Sequence, residues 1–345
     1  MSIITLRNKR CIGDYLDPYI VAELNTSHFG DMDVAKSMID QAYEAGCDCV
    51  KFQSWSAETL YSESYYKTNS IARRIIKKFA FDDLQIKELS SYALSKKIDF
   101  ASTPYSIEEA KFLVEECGVP FVKIASMELN NLPYLNQLGR LGIPLVLSTG
   151  MGTLEEIIKA VNVIQATGNE QLIILHCTSI YPAAPEIIRL QNISGLRSEF
   201  PQYPIGYSDH SIGIEVPIAS VALGACLIEK HFTLDSSRIG MDNQMAMEPD
   251  EMRAMILACR RVHKAMGGAS RILGEEEKDQ TAKMRRSIVT KHSLHAGHIL
   301  TESDLIAKRP GTGLSPNQIE SVVGKRINQN LDAETLISWE VLEIE

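Results

Sequence analysis

Two histidines close consecutive strand-like runs of this chain: His210 lies just past Ile205–Ser208, and His231 ends Leu227–His231. If the two runs are neighbouring strands, the imidazoles come within reach of one divalent transition metal, which imidazole nitrogen suits. Two protein ligands leave the other positions to water and substrate, as in a catalytic site. A lone strand-end histidine is more often a hydrogen-bonding residue; the pair, beside Asp209, Glu229 and Asp242, favours the metal. Two lysines sit inside apolar runs, Lys51 in VKFQ and Lys123 in VKIAS. A buried ammonium needs an anionic partner. For one lysine alone that partner would be Glu23 or another barrel carboxylate. Both lysines together, with hydroxyls at Ser126, Ser148, Thr149 and Ser208, describe a pocket for a small, highly charged anion. Glu23 and Glu229 are placed to orient a substrate hydroxyl or to act as acid or base, with a core salt bridge as the alternative for Glu229. Tyr181 follows a strand and is expected to contact the anion or a sugar. Tyr105 reads as packing, and Cys177 as a small buried apolar residue that borders the site at most.

The elements that must position these groups recur along the chain. Strand-like runs lie at Tyr19–Glu23, Cys49–Gln53, Ile98–Thr103, Phe121–Ser126, Pro144–Ser148, Leu172–His176, Ile205–Ser208 and Leu227–His231. Helical patterns such as Val34–Ala45 and Leu154–Ala166 separate most of them. Eight strand–helix units predict an α/β fold, a closed (β/α)8 TIM barrel. Reacting groups of such barrels sit at the carboxyl ends of the strands, where this chain also carries Thr103 and His176. Met1–Asp17 is expected to form a leading strand or hairpin over the barrel floor. The last barrel helix is expected over Pro249–Met266, opened by a proline and acidic residues and ended by Gly267-Gly268. The predicted organisation is a catalytic barrel over 1–268, a partly helical linker over 269–286 and a β-rich module over 287–345. Short strand-like pieces in that module are Ser287–Leu294, Gly297–Ile299, Leu305–Lys308 and Thr335–Val341.

Bulk properties remove several function classes. A net charge of −9 argues against nucleic-acid binding, which calls for a basic face, but not against a local basic pocket. The longest apolar stretch, Val216–Ile228, is too short to span a bilayer. The N-terminus shows no apolar signal region. Seven scattered cysteines without a C-x-x-C fit a reduced, cytoplasmic setting.

The motifs AELNTSHFGD (22–31), GCDCVKFQ (46–53), ASTPYS (101–106), VKIASMELNN (122–131), LSTGM (147–151), LHCTSIYP (175–182), GYSDHS (206–211), IEKHFTLD (228–235) and KRPGTGLSP (308–316) resemble those of the sialic acid (nonulosonate) synthase family. The resemblance covers nearly the whole chain, and GYSDHS followed by EKHF is its most specific part. It implies a TIM barrel with a C-terminal SAF, or antifreeze-like, domain, a likeness of fold that carries no antifreeze activity. It implies condensation of phosphoenolpyruvate with an N-acylated hexosamine to a nine-carbon 2-keto-3-deoxy acid, with C–O cleavage releasing phosphate. By resemblance, His210 and His231 hold a divalent metal, manganese in the first place, with magnesium or cobalt as alternatives. Lys51, Thr103, Lys123, Ser126, Ser148, Ser179 and Ser208 match positions around phosphoenolpyruvate. Tyr181, Glu229 and Asp242 match sugar-facing residues, and Glu23 an acid near the metal-bound water. Arg309 matches an arginine that reaches the partner's sugar pocket in a domain-swapped homodimer.

Three departures from the family pattern stand out: Ser27 before His28, Ser179, and Asn243 after Asp242. They bear on which sugar is accepted more than on the reaction type. Asn243, Gln244, Met245 and Met247 are expected where the choice among N-acetylmannosamine, its 6-phosphate and 2,4-diacetamido-trideoxy sugars is made, the methionines favouring a deoxygenated edge. Rival readings are a ketodeoxy sugar phosphate synthase on the same barrel, a Schiff-base aldolase using Lys123 or Lys230, and a non-catalytic sugar-binding protein.

Overall fold

Eight parallel strands form one sheet: β1 (Tyr19–Glu23), β2 (Cys49–Ser54), β3 (Asp99–Pro104), β4 (Val122–Ile124), β5 (Leu145–Ser148), β6 (Leu172–Cys177), β7 (Ile205–Asp209) and β8 (Leu227–His231). The computed structural model describes residues 2–343, which divide after Gly267 into two units. In the first unit the sheet curls so that β8 pairs with β1. Ladders run β3-β2-β1-β8-β7-β6-β5-β4, and β3 lies beside β4 without a ladder. The expected barrel is therefore present, with one open seam.

Strand parity sorts its side chains. Ile20, Val50, Phe100, Ile174 and Ile228 face outward and pack with the surrounding helices. Their neighbours Tyr19, Val21, Cys49, Ala101, Val146, Ile173 and Leu227 face inward and form a second apolar cluster. The period of two in a strand dictates this alternation, and burial on both faces makes the strands apolar throughout. Gly206 faces the crowded interior: a Cβ there would lie 2.6 Å from Leu175 Cδ2 and 2.7 Å from the Leu227 carbonyl oxygen.

An N-terminal hairpin, Ile3–Thr5 with Cys11–Gly13, adds Ile4, Leu6 and Ile12 to the inner cluster. It sits at the amino ends of the strands, where Arg7 N–H bonds to the Pro120 carbonyl. One end of the barrel is thus sealed with apolar residues, and chemistry is confined to the other.

The outer helices are α1 (Met32–Ala45), α2 (Asp83–Ser95), α3 (Ile107–Glu115), α4 (Leu132–Gly139), α5 (Leu154–Gln165), α6 (Asn192–Glu199), α7 (Glu215–Ala222) and α8 (Pro249–Met266). Their ends are marked in the sequence. Asp31 caps α1 by accepting from the Asp33 and Val34 amides, and Gly46, at φ +95°, ends it. Thr153 and Glu156 form a reciprocal capping box on α5. The chain between β2 and α2 departs from the simple repeat. Three short helices, Ala57–Leu60, Glu63–Thr68 and Ser70–Phe79, pack through Trp55, Ala57, Tyr66 and Ile76. No helix is long and apolar enough to cross a membrane among the described residues.

In the second unit, α9 (Glu275–Met284) occupies part of the expected linker. The antiparallel pair β9 (Ser287–Thr290) and β10 (Leu305–Lys308) follows. The strands expected at Gly297–Ile299 and Thr335–Val341 are reduced to single bridges, Ile299 with Arg326 and Leu336 with Val289. Too few residues separate the turns there for ladders to grow. Ile288, Leu294, Leu300, Leu314, Ile327 and Ile337 make a separate small core.

Candidate active site

Above the inner apolar layer, the next inward position of each strand is polar. Register puts Glu23 directly between Lys51 on β2 and His231 on β8, and pairs Glu229 with Ser208 on β7. Thr103, Lys123, Ser148 and Cys177 continue the ring, which lines a cavity of about 310 Å³, within the usual range for a small-molecule site. Loops after the strands add Asn25, Ser126, Ser179, Tyr181, His210 and Asp242. Every barrel residue that the family resemblance assigned to the site lines this cavity. Arg309 belongs to the second unit, where it is exposed.

Charge in this ring is concentrated and shared. Lys51 forms an ion pair with Glu23, lies 3.7 Å from Glu229 Oε2 and donates to Thr103 Oγ1 at 3.0 Å. Lys123 Nζ lies 3.5 Å from Glu229 Oε1. The salt bridge foreseen for a lone lysine is thus present, within the pocket rather than instead of it. Burial pushes both glutamates up. For Glu229, Lys123, Lys51 and the Ser208 hydroxyl outweigh burial and hold it down at about 2. For Glu23, burial and the charge of Glu229 prevail over Lys51, and its pKa is raised. Two carboxylates in one cavity are driven apart in proton affinity, Glu229 downward and Glu23 upward. Burial lowers the pKa of Lys123, whereas Glu229 and Glu23 raise that of Lys51 against burial.

The hydroxyls differ in their engagement. Ser208 donates to Glu229 Oε1 at 2.9 Å, and Ser126 Oγ accepts from the Gly150 amide at 3.0 Å. Ser148 Oγ is buried without a partner among the described residues, an atom left for a ligand. Gly150 keeps this corner open, since a Cβ there would meet Ser179 Oγ at 2.2 Å and Ser126 Oγ at 2.8 Å. Thr149, expected at the rim, instead donates to the Leu175 carbonyl at 2.8 Å and is used up.

The His210 and His231 ring centroids lie 5.4 Å apart, and Tyr181 stacks at 4.1 Å on His210. His210 Nδ1–H donates to the Thr178 carbonyl at 2.8 Å, which leaves Nε2 with its lone pair toward any ligand. Burial and the nearby His210 push the pKa of His231 well below the ordinary histidine range, so that ring is neutral. Among the described residues no cluster of three or more His, Cys, Asp or Glu is arranged around a common metal position. Against burial, Cys177 and the Thr178 carbonyl raise the pKa of His210. Two imidazoles from adjacent strand ends fit an open metal site completed by water and substrate.

Several expectations need correction. Lys230 faces outward, bound to Asp209 Oδ2 at 2.6 Å and to the Ser211 carbonyl, so it does not reach the cavity as a Schiff-base lysine would. His176 also faces outward, 2.7 Å from the Ile188 carbonyl and stacked on Tyr207. Asn243 braces its own loop: Nδ2 donates to the Asp235 and Arg238 carbonyls, and Oδ1 accepts from Thr233. Met245 and Met247 are buried away from the cavity wall, and Met241 lines it in their place. His28 stacks on Phe81 at 4.2 Å and takes the Gly30 amide on Nδ1, so Ser27-His28 forms a loop turn. Of the three departures, only Ser179 lines the cavity. Conversely, Tyr105 is more than packing: its hydroxyl donates to Gln53 Oε1 at 3.2 Å, while Gln53 Nε2 donates to Glu23. Cys177 borders the cavity. Trp55, Leu60 and Tyr61, from the excursion after β2, form an aromatic and apolar wall. The parity of VKFQ signals that Gln53 faces inward with Lys51; nothing in the sequence signals the wall.

A family model described as the NeuB family matches residues 38–271, and one described as the SAF domain matches 285–343. The chain is 37% identical to an N,N'-diacetyllegionaminic acid synthase of Legionella pneumophila, covering 96% of both chains. It is 34% identical to the N-acetylneuraminate-9-phosphate synthase of Homo sapiens, covering 97% of this chain and 95% of that one. The crystal structure of an N-acetylneuraminic acid synthetase from Leptospira borgpetersenii, in complex with citrate, superposes with a TM-score of 0.75 at 33% identity, covering 81% of this chain and 95% of that one. With the family model spanning most of the barrel and two relatives matched nearly end to end, the chain belongs to the NeuB family.

Proposed function

We propose that this protein is a nonulosonic acid synthase that joins phosphoenolpyruvate to an N-acylated hexosamine. The observation that carries the reading is the inward ring itself: two buried lysines, free hydroxyl capacity and two carboxylates of opposed pKa, beside a histidine pair. Lys51 and Lys123 would take the phosphate and carboxylate of phosphoenolpyruvate, with Ser126, Ser148, Ser179 and Thr103 donating to its oxygens and Ser208 joining them on turning its hydroxyl from Glu229. Tyr181, Glu229 and Asp242 would hold the open-chain sugar with its aldehyde carbon toward carbon three of phosphoenolpyruvate. A divalent cation on His210 and His231, manganese first and magnesium or cobalt as alternatives, would supply Lewis-acid polarisation of the aldehyde oxygen.

Carbon three attacks the aldehyde carbon, and the aldehyde oxygen takes a proton from solvent water. Water adds to the electron-poor carbon two, giving up its proton to Glu23, whose raised pKa suits it to receive one. The resulting tetrahedral centre loses phosphate by C–O cleavage, its hydroxyl proton passing to the departing phosphate, and becomes the 2-keto acid. Glu229, held ionised, keeps both lysines in place.

The test is phosphate release from phosphoenolpyruvate against N-acetylmannosamine, its 6-phosphate and 2,4-diacetamido-trideoxyhexoses, with manganese or with EDTA. Release that requires one sugar and stops with EDTA is the expected outcome. No release with any of them, from folded and metal-supplemented protein, overturns the reading. A homodimer in which Arg309 enters the partner's sugar pocket, and a cytoplasmic location, belong to the same proposal. For the dimer, Arg309→Ala should raise KM for the sugar and leave KM for phosphoenolpyruvate unchanged, and sedimentation should give twice the chain mass. A monomeric, fully active enzyme would exclude it.

A further inference from the structure

Asn25 opens the loop after β1 and carries an acceptor that nothing in the described chain satisfies. The residue is 4% exposed and lines the central cavity. Its backbone takes φ +40°, a left-handed conformation that asparagine tolerates better than most residues. The turn directs its amide N–H to Glu23 Oε1 at 3.0 Å. Its side-chain Nδ2 donates to the Asp242 carboxylate. That bond settles which end of the amide is which, because a carboxylate accepts and the amide oxygen cannot donate. Oδ1 is therefore turned away from Asp242, buried and without a partner. Buried polar atoms are almost always paired, and an exception in a cavity wall marks a place that a ligand completes.

The ligand chemistry follows from the neighbours. Asp242 and Asn25 are hydrogen-bonded neighbours in the cavity wall, each with acceptor capacity that the other cannot satisfy. They call for two polar hydrogens on adjacent positions, as hydroxyl and acylamino groups on neighbouring sugar carbons supply. A deoxygenated carbon facing Oδ1 would leave it unpaired. We propose that Asn25 is a specificity-determining residue of the sugar site, its Oδ1 accepting a hydrogen bond from a hydroxyl or acylamino N–H next to the donor taken by Asp242. This rests on the synthase reading and refines it: sugars lacking a donor at that carbon are rejected.

The test uses Asn25→Gly, since glycine adopts φ +40° freely. Phosphate release is measured with the accepted sugar and with analogues in which single O–H or N–H donors are replaced by hydrogen or methylated. Wild type should discriminate against one such analogue by about 100-fold or more. Asn25→Gly should lose about 10- to 100-fold in kcat/KM for the parent sugar. Its discrimination should fall to a few-fold, with KM for phosphoenolpyruvate unchanged as evidence of an intact site. Whether the replaced donor is a hydroxyl or an acylamino N–H distinguishes the two sources. Sugar affinity by calorimetry in an Asp242→Ala background, which has no acceptor for Asn25 Nδ2, separates a direct contact from an effect through Asp242. A further loss on adding Asn25→Gly supports the contact, and none overturns it. Equal discrimination in wild type and Asn25→Gly, or a matching rise in KM for phosphoenolpyruvate, also overturns it. Wild type that releases phosphate with no sugar defeats the synthase reading itself, a result distinct from an active enzyme indifferent to Asn25→Gly.

Discussion

Two buried clusters of lysine and carboxylate lie on opposite faces of the same strands, one residue apart in the chain. Outward from β7 and β8, Lys230 pairs with Asp209, and Asp209 also accepts from the Tyr207 hydroxyl at 2.8 Å and from the Ser211 amide and hydroxyl, each at 3.0 Å. Every strong acceptor there has a donor, and the group is sealed between barrel and helices. It ties down the loop that carries His210. Inward, Lys51 pairs directly with Glu23, but Glu229 reaches Lys51 and Lys123 only at 3.7 and 3.5 Å, Ser148 and Asn25 keep unpaired oxygens, and a cavity adjoins them. Burial of charge is therefore no mark of function by itself. Unfinished pairing next to empty space is the mark, because only there does a ligand improve the electrostatics.

The comparison breaks most sharply at its two lysines. Lys123→Met should reduce phosphate release by about 1,000-fold, the scale of losing a positioned charge in a preorganised site. Its thermal melt should stay near wild type, because Glu229 keeps Lys51 and Ser208. Lys230→Met should do the reverse, destabilising the barrel by about 3–5 kcal/mol in denaturant titration, since it leaves Asp209 buried and uncompensated. Any folded fraction should retain turnover within about tenfold, the difference that separates bracing from contact. A Lys230→Met protein with a wild-type melt and no activity would erase the distinction.

Gly150→Ala sharpens the inward side. Its methyl group would collide with the Ser179 and Ser126 hydroxyls in the cavity wall. KM for phosphoenolpyruvate should rise about 10- to 100-fold, with KM for the sugar little changed, the effect of a displacement of under an ångström or so on bound geometry. Equal changes in both would place the anion elsewhere.

The smallest effect lies in the second unit, at Asp304, which accepts from His292 and His298 at 3.1 and 3.0 Å and from the Thr301 amide and hydroxyl. The His298 hydrogen bond, helped by Thr301 against burial, holds its pKa below the usual aspartate range. A depressed carboxyl pKa means the unfolded chain binds the proton more readily. The contribution to stability is then complete above the unfolded value, about 3.9, and fades as pH falls through the lower folded one. Asp304→Asn should cost about 1 kcal/mol at neutral pH, as for a lost cap, and flatten the acid limb of that unit's stability curve. An unchanged acid limb would show that the cluster is idle.

How much of this was legible before the fold is best seen residue by residue. The strands were visible because each is an apolar run closed by a polar residue, and β1 and β8 have the expected bounds. Parity within a run is local, so Glu229 and His231 inward entail Lys230 outward; naming Lys230 as a candidate nucleophile ignored that rule. His176 fails by the same count, opposite to Leu175 and Cys177. The second unit was legible only in outline, because its short pieces make bridges whose partners lie far along the chain. Loop residues had no such rule. Asn243 and the two methionines follow Asp242 directly, yet their side chains turn back into their own loop and the core. Trp55 and Tyr61 reach the cavity because three short helices fold over it, a path that no periodicity in 54–80 announces.

By itself, the sequence determined the barrel, its sealed floor and the identity of most inward polar groups, since these follow from two short-range facts: apolar burial on both strand faces and alternation along each strand. Only the tertiary structure decided which buried charges remain unfinished, that Glu23 and Glu229 diverge in proton affinity, and that Asn25 is left with a free acceptor. Those depend on distances between strands and loops remote in sequence, and electrostatic and hydrogen-bond energies change over an ångström, a scale that spacing along the chain does not encode.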